Sequence, residues 1–267
     1  MYIKSMVEPE IATVSRHMFL YGNNTFKRER LLKGIAEKYP FVFGADKPSV
    51  VYVEDIGLPD IKNSAKGLDN DKVNSVASYY LEFSILEAIL KKINQAKNKP
   101  TESINEIVRK CNLFSKTKHE SLEEVLKSVD ISKKYWANYY EAYVKTGDDS
   151  IPREYFDKLD MAFVPFLSTV TEDFQKVTNN KAPFQVILDR KKKIGFPSVM
   201  AINTLLGLRC NGSVSYKVAC EPNEWETTHD LTGKFAEYVH DYTILELDES
   251  YEKSIKEAKS RYGIDEI

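Results

Sequence analysis

Two short stretches of the chain hold side chains suited to phosphate and metal chemistry. The first is Gly22-Asn23-Asn24-Thr25-Phe26-Lys27-Arg28-Glu29. A phosphate loop of the GxxxxGKS/T form uses glycines so that backbone amides can approach the phosphates. It adds a lysine for charge and a hydroxyl for magnesium. Gly22 meets the first requirement. Aligned without gaps, Lys27 stands at the second glycine, Arg28 at the lysine and Glu29 at the hydroxyl. A Cβ at Lys27 hinders close backbone approach, and Glu29 sets a negative charge beside the phosphates. Lys27 and Arg28, just after a turn of Asn23, Asn24 and Thr25 that could cap a helix, still present cations to an anion at a helix start. The nucleotide candidates are therefore Gly22, Asn24, Lys27 and Arg28.

The second stretch is Phe184-Gln185-Val186-Ile187-Leu188-Asp189. An apolar strand ending in Asp is how phosphoryl-transfer enzymes place the acid that holds magnesium. Asp189 is thus the candidate metal residue and the fifth member of the nucleotide set. A second acid normally follows to activate water. Here Arg190 follows, and it stays protonated and cannot serve as a base. Both stations lack hydrolytic groups, which points to a pseudo-ATPase.

Other constellations compete. Asp189-Arg190-Lys191 fits the D-x-K half of a metal-dependent nuclease, with Glu54 or Asp55 as the second acid. His17, His119, His229 and His240 show no metal-ligand spacing, and no GxSxG or HExxH pattern occurs. Tyr135, Trp136, Tyr139, Tyr140 and Tyr143 form a helical stripe behind Lys133 and Lys134. Such a stripe packs into a core or partner, or stacks bases.

The elements that position these residues read as follows. Residues 17–21 form a buried strand, 27–38 a helix and 49–54 a second strand. The strongest helical periodicity covers 73–94. Residues 95–180 are helical and more polar, with a helix start at Ser121, a break at Gly147 and a further helix from Pro152 to about Lys176. Strand character returns at 184–189, 213–220 and 241–247, with helices at 198–208 and 249–261. Strands alternating with helices predict an α/β fold with a mainly parallel sheet and flanking helices. The expected division is 1–94 and 181–267 as two parts of the core, with 95–180 as a helical insertion. Ligands of such sheets sit beyond the strand carboxyl ends, which groups Gly22, Glu54, Asp189 and Cys220.

Bulk properties narrow the classes. The 267 residues carry 42% hydrophobic and 29% charged side chains and a net charge of −2, a globular balance without the basic excess of a nucleic-acid coat. Three cysteines without a CxxC pair fit a reducing compartment. No apolar run reaches a membrane span and the start lacks a signal-peptide core, so the expectation is a cytoplasmic chain with no membrane partner.

With these stations and this element order, the chain resembles the AAA+ ATPases, and within them the bacterial and archaeal branch related to the origin-recognition ATPases. The resemblance rests on Gly22, on Asp189, on the helix from Phe196 to Leu206, on the strand Ser215-Tyr216-Lys217-Val218 and on the closing strand from His240 to Asp248. It implies ATP, magnesium and multi-subunit assemblies acting on DNA. Lys27, Arg28, Glu29 and Arg190 depart from the family's hydrolytic groups. The expected role is a binding or regulatory subunit, joined to a protein partner or to further copies of itself, with nucleic acid as a second partner class. The alternative is a working enzyme, either a weak ATPase or a nuclease centred on Asp189.

Overall fold

In the computed structural model, the described residues are 4–61, 68–148, 156–165, 167–208, 212–222, 224, 225, 227, 229–234 and 242–247. The order is α1 (Lys4–Thr13), β1 (Met18–Tyr21), α2 (Thr25–Lys38), β2 (Ser49–Val53), α3 (Asn70–Asn94), α4 (Thr101–Cys111) and α5 (Leu122–Thr146). Then follow α6 (Leu167–Thr178), β3 (Phe184–Asp189), α7 (Phe196–Gly207), β4 (Val214–Cys220) and β5 (Thr243–Glu246).

The five strands form one sheet in the order β2-β3-β4-β1-β5, and every pairing is parallel. All six residues of β3 and all seven of β4 are buried, as expected where helices cover both faces. Strand alternation sorts the side chains. Val51, Val53, Val186, Leu188, Tyr216 and Val218 join the larger apolar cluster with α3, α5 and α7. Met18, Leu20, Val50, Ile187 and Ala219 face the other way, toward α1 and α2. Tyr52 and Asp189 share the parity of Val50 and Ile187, so they too lie on the α2 face.

α3 is buried on most of its circumference, because the sheet, α5 and α7 all pack on it. That explains its long apolar run, and the larger cluster continues from the sheet through α3 into α5. Ser121 caps α5 by accepting the Glu124 N–H, and Gly147 ends it at φ 72°, a left-handed value that glycine adopts without strain.

Two local expectations are corrected. No single helix runs from Pro152 to Lys176. Residues 161–165 have no regular structure and α6 begins at Leu167. Pro165 disfavours helical geometry at Val164. The backbone there bonds to α5 instead: Trp136 Nε1 donates to the Ala162 carbonyl at 3.1 Å, and the Ser132 hydroxyl donates 2.5 Å to the Met161 carbonyl. α1 is an additional helix. Its Val7 and Ile11, one turn apart, seal the α2 face despite Pro9 inside the helix. The expected helix at 249–261 lies outside the described residues, as do His240 and Asp248.

Candidate functional site

The strand tips converge as the element order requires. β1 and β3 flank β4, so Gly22, Asp189 and Cys220 end side by side. The Gly22 N–H donates to the Cys220 carbonyl at 3.1 Å, and the Arg190 N–H to the Ala219 carbonyl at 2.8 Å.

Only Gly22, Asn23 and Asn24 separate β1 from α2. Asn24 is the N-cap, and its side-chain oxygen accepts the Lys27 N–H at 2.9 Å. The helix therefore starts at once. Lys27 is exposed on its first turn, and Phe26 is 74% exposed.

Arg28 points inward. It belongs to the buried stripe Arg28, Leu32, Ile35 and Ala36 of α2, spaced as one helix face. Its guanidinium makes three bonds: Nε to Asp189 Oδ1 at 2.9 Å, Nη1 to the Gly22 carbonyl at 2.8 Å and Nη2 to the Arg190 carbonyl at 2.9 Å. The side chains of Arg28 and Asp189 are 1% and 0% exposed. The other Asp189 oxygen accepts the Tyr52 hydroxyl at 2.7 Å. Burial, followed by the charge of Asp189, pushes the Tyr52 hydroxyl pKa far up, so this proton stays in place.

Around this pair lies a belt of charges. Glu29 accepts Lys191 at 2.8 Å and Lys33 at 3.0 Å, and these bonds hold its carboxyl below the usual range. Lys33 also reaches Glu54 at 3.1 Å. The ammonium groups of Lys33 and Lys191 lie 5.5 and 5.3 Å from the centre of the Tyr52 ring, within cation–π range. Arg190 is buried, bonds the Glu224 carbonyl and stands 6.0 Å from the Trp225 ring. Burial pushes the Cys220 thiol up to about 12, so it is no nucleophile at neutral pH.

These residues do not fit a triphosphate with magnesium. Arg28 and Leu247 close over Gly22: a Cβ built there would rest in ordinary contact with Arg28 Cδ at 3.5 Å and Leu247 Cδ1 at 3.6 Å, which leaves no room for a phosphate. The Gly22 and Lys27 amides, which a phosphate cradle would use, donate elsewhere. A divalent ion on Asp189 would face the Arg28 guanidinium across a single carboxylate, and that repulsion is strong in a buried site. The hydroxyl that would complete the metal shell is replaced by Glu29.

The nuclease arrangement is not assembled either. Lys191 turns to Glu29 and Glu54 turns to Lys33. No group of three His, Cys, Asp or Glu able to hold a metal occurs among the described residues. Of the sequence candidates, Gly22, Arg28 and Asp189 meet directly, Asn24 caps the helix beside them, and Lys27 faces out. The reading from sequence missed Tyr52. Its signal was pleat parity with Asp189 on the neighbouring strand.

The aromatic stripe of α5 is mainly packing. Trp136, Tyr140 and Tyr143 are buried, and the Trp136 ring packs against Tyr79 at a tilt of 42°, with centroids 4.9 Å apart. His17 is buried in a structural role: Nδ1 accepts the Tyr216 N–H at 3.0 Å and Nε2 donates to the Leu208 carbonyl at 2.8 Å. His119 bonds Asp160 at 2.7 Å, an oxygen that also accepts the Ser128 hydroxyl. That arrangement ties the start of α5 to the segment before α6.

The sequence profile described as ORC-CDC6-like matches residues 51–262. The match opens inside β2 and so leaves β1, the Gly22 turn and α2 outside it. Comparison of the chain with curated proteins and with solved structures finds no match. The matched stretch covers most of the chain and contains β3, α7, β4 and β5 of the parallel sheet: the chain belongs to the ORC-CDC6-like family of AAA+ proteins.

Proposed function

We propose that this chain is a non-hydrolysing member of its family, a binding or regulatory subunit of a larger complex. The observation that carries this reading is the Arg28 guanidinium, bonded at once to Gly22, Asp189 and Arg190. In a nucleotide-dependent relative, phosphate and metal tie the first strand to the third. Here an internal cation makes that tie permanently, so the strand tips are ordered without a ligand. The module then offers a fixed shape to its partner rather than a cycle of shapes.

Family membership supports a DNA-associated setting in this reading, with a protein partner or further copies as the assembly. The region 95–180 serves in this reading as a helical insertion for docking, between core parts 1–94 and 181–267. No helix among the described residues is long and apolar enough to cross a membrane. A cytoplasmic location suits Cys111 and Cys220, which are buried and free. The reading is tested by phosphate release from ATP with magnesium or manganese, alone and with DNA present. The expected rate is that of buffer. Turnover abolished by Asp189→Ala would overturn it in favour of an enzyme.

A further inference from the structure

Among the described residues β2 is an edge strand, paired with β3 on one side only. Among those residues its outer edge is engaged once, where the Val50 N–H donates to the Tyr39 carbonyl at 3.1 Å. Backbone groups alternate sides along a parallel strand. The N–H and C=O of Tyr52 therefore point outward like those of Val50, beyond the place where residue 39 leaves the edge. They open onto a groove of about 560 Å³ that runs along β2 between α2 and α3.

The lysines of this groove are already engaged. Lys33 pairs with Glu29 and Glu54, Lys91 and Lys133 both pair with Glu87, and Lys92 donates to the Ala36 carbonyl. Each of these ammonium groups already has an acceptor. Glu37 and Asp55 are exposed on the groove and form no ion pair with a described residue, although Glu37 acts on Lys92 through space. Among the described residues, the groups left open along this groove are the outward backbone of Tyr52 and the carboxylates of Glu37 and Asp55.

We propose that the β2 edge takes an extended, lysine- or arginine-bearing segment of a partner protein, added as a sixth strand beside Tyr52. Main-chain bonds supply affinity and side chains alternate toward the two helices. Glu37 sits on the α2 side. Asp55 lies just past the end of β2 and acts through space on Tyr80 of α3, so the segment carries a cation at each parity. This inference stands on the open edge and not on the plugged site. Its test contains no nucleotide, so either proposal can fail alone.

The probe is the capped peptide Thr-Lys-Val-Val-Lys-Val-Thr, whose two lysines have opposite parity. It is titrated into the full chain by fluorescence anisotropy, with amide exchange read at Tyr52. The expected Kd is below about 100 µM, with slowed exchange at the Tyr52 amide. N-methylation of alternate peptide nitrogens should weaken binding about 10-fold or more. Glu37→Lys and Asp55→Lys, both at exposed positions, should each weaken it several-fold. No saturation below about 1 mM, equal binding of the N-methylated peptide, unchanged Tyr52 exchange, or indifference to both charge reversals would each overturn the proposal.

Discussion

Arg28 on α2 and Asp189 at the tip of β3 form an ion pair at 2.9 Å, with almost no solvent on either side chain. The pair spans the β4 position of the sheet and joins two elements 161 residues apart in sequence. Burying two charges is costly. The cost is offset here because Asp189 also takes the Tyr52 hydroxyl and Arg28 also takes two carbonyls.

Removing one partner strands the other. Arg28→Met or Asp189→Asn should each destabilise the fold by about 3–5 kcal/mol in urea unfolding. The double variant should lose at least about 2 kcal/mol less than the sum of the singles. Simple additivity would mean the two groups do not act as a pair.

The turn at Gly22 does not depend on a glycine, as a phosphate cradle would. A Cβ there makes ordinary contacts, and Gly22 is not among the glycines of positive φ. Gly22→Ala should change stability by less than about 1 kcal/mol. A loss several times larger in thermal unfolding would show that the turn needs a glycine after all.

Glu82 on α3 gives a pH signature. Burial raises its carboxyl to about 7, above the value of an unfolded chain. The folded state therefore holds the extra proton, and stability falls as pH rises from about 4.5 through 7. Glu82→Gln should stabilise the protein by roughly 1–3 kcal/mol at pH 8 and by little at pH 5. Denaturant melts at the two pH values check the sign. Equal effects at both would refute it.

Lys217 is a fully buried lysine in β4. Its parity turns it to the α1 face, where its ammonium donates to the carbonyls of Val14, at 2.7 Å, and Arg16. Lys217→Met leaves both carbonyls without that donor. The expected result is a loss of about 2–4 kcal/mol with faster amide exchange across α1. Unchanged exchange in α1 would show that Lys217 does not dock it.

Much of this architecture was legible from residue patterns. β3 was readable residue for residue, because a six-residue β-branched and apolar run ending in Asp has few other uses. The parallel sheet followed from alternation of strands and helices. Arg28 was in view as a candidate, but for an external anion. Its place one turn before Leu32, on the buried face of α2, was the sign that it turns inward. Tyr52 was hidden for a different reason. Its role depends on β2 pairing with β3, a contact between segments 135 residues apart that no local pattern encodes. The segment before α6 misled because its side chains are helix-like, while Pro165 and the bonds from α5 decide its path.

At the strand tips, the protein's own Arg28 holds the place a phosphate would take. Isothermal titration of ATP with magnesium into the wild-type chain measures this most directly. No heat of binding up to about 1 mM nucleotide is the expected result. A one-to-one isotherm with a Kd below about 100 µM, lost in Asp189→Ala, would show that Arg28 yields its place to phosphate and would contradict the account.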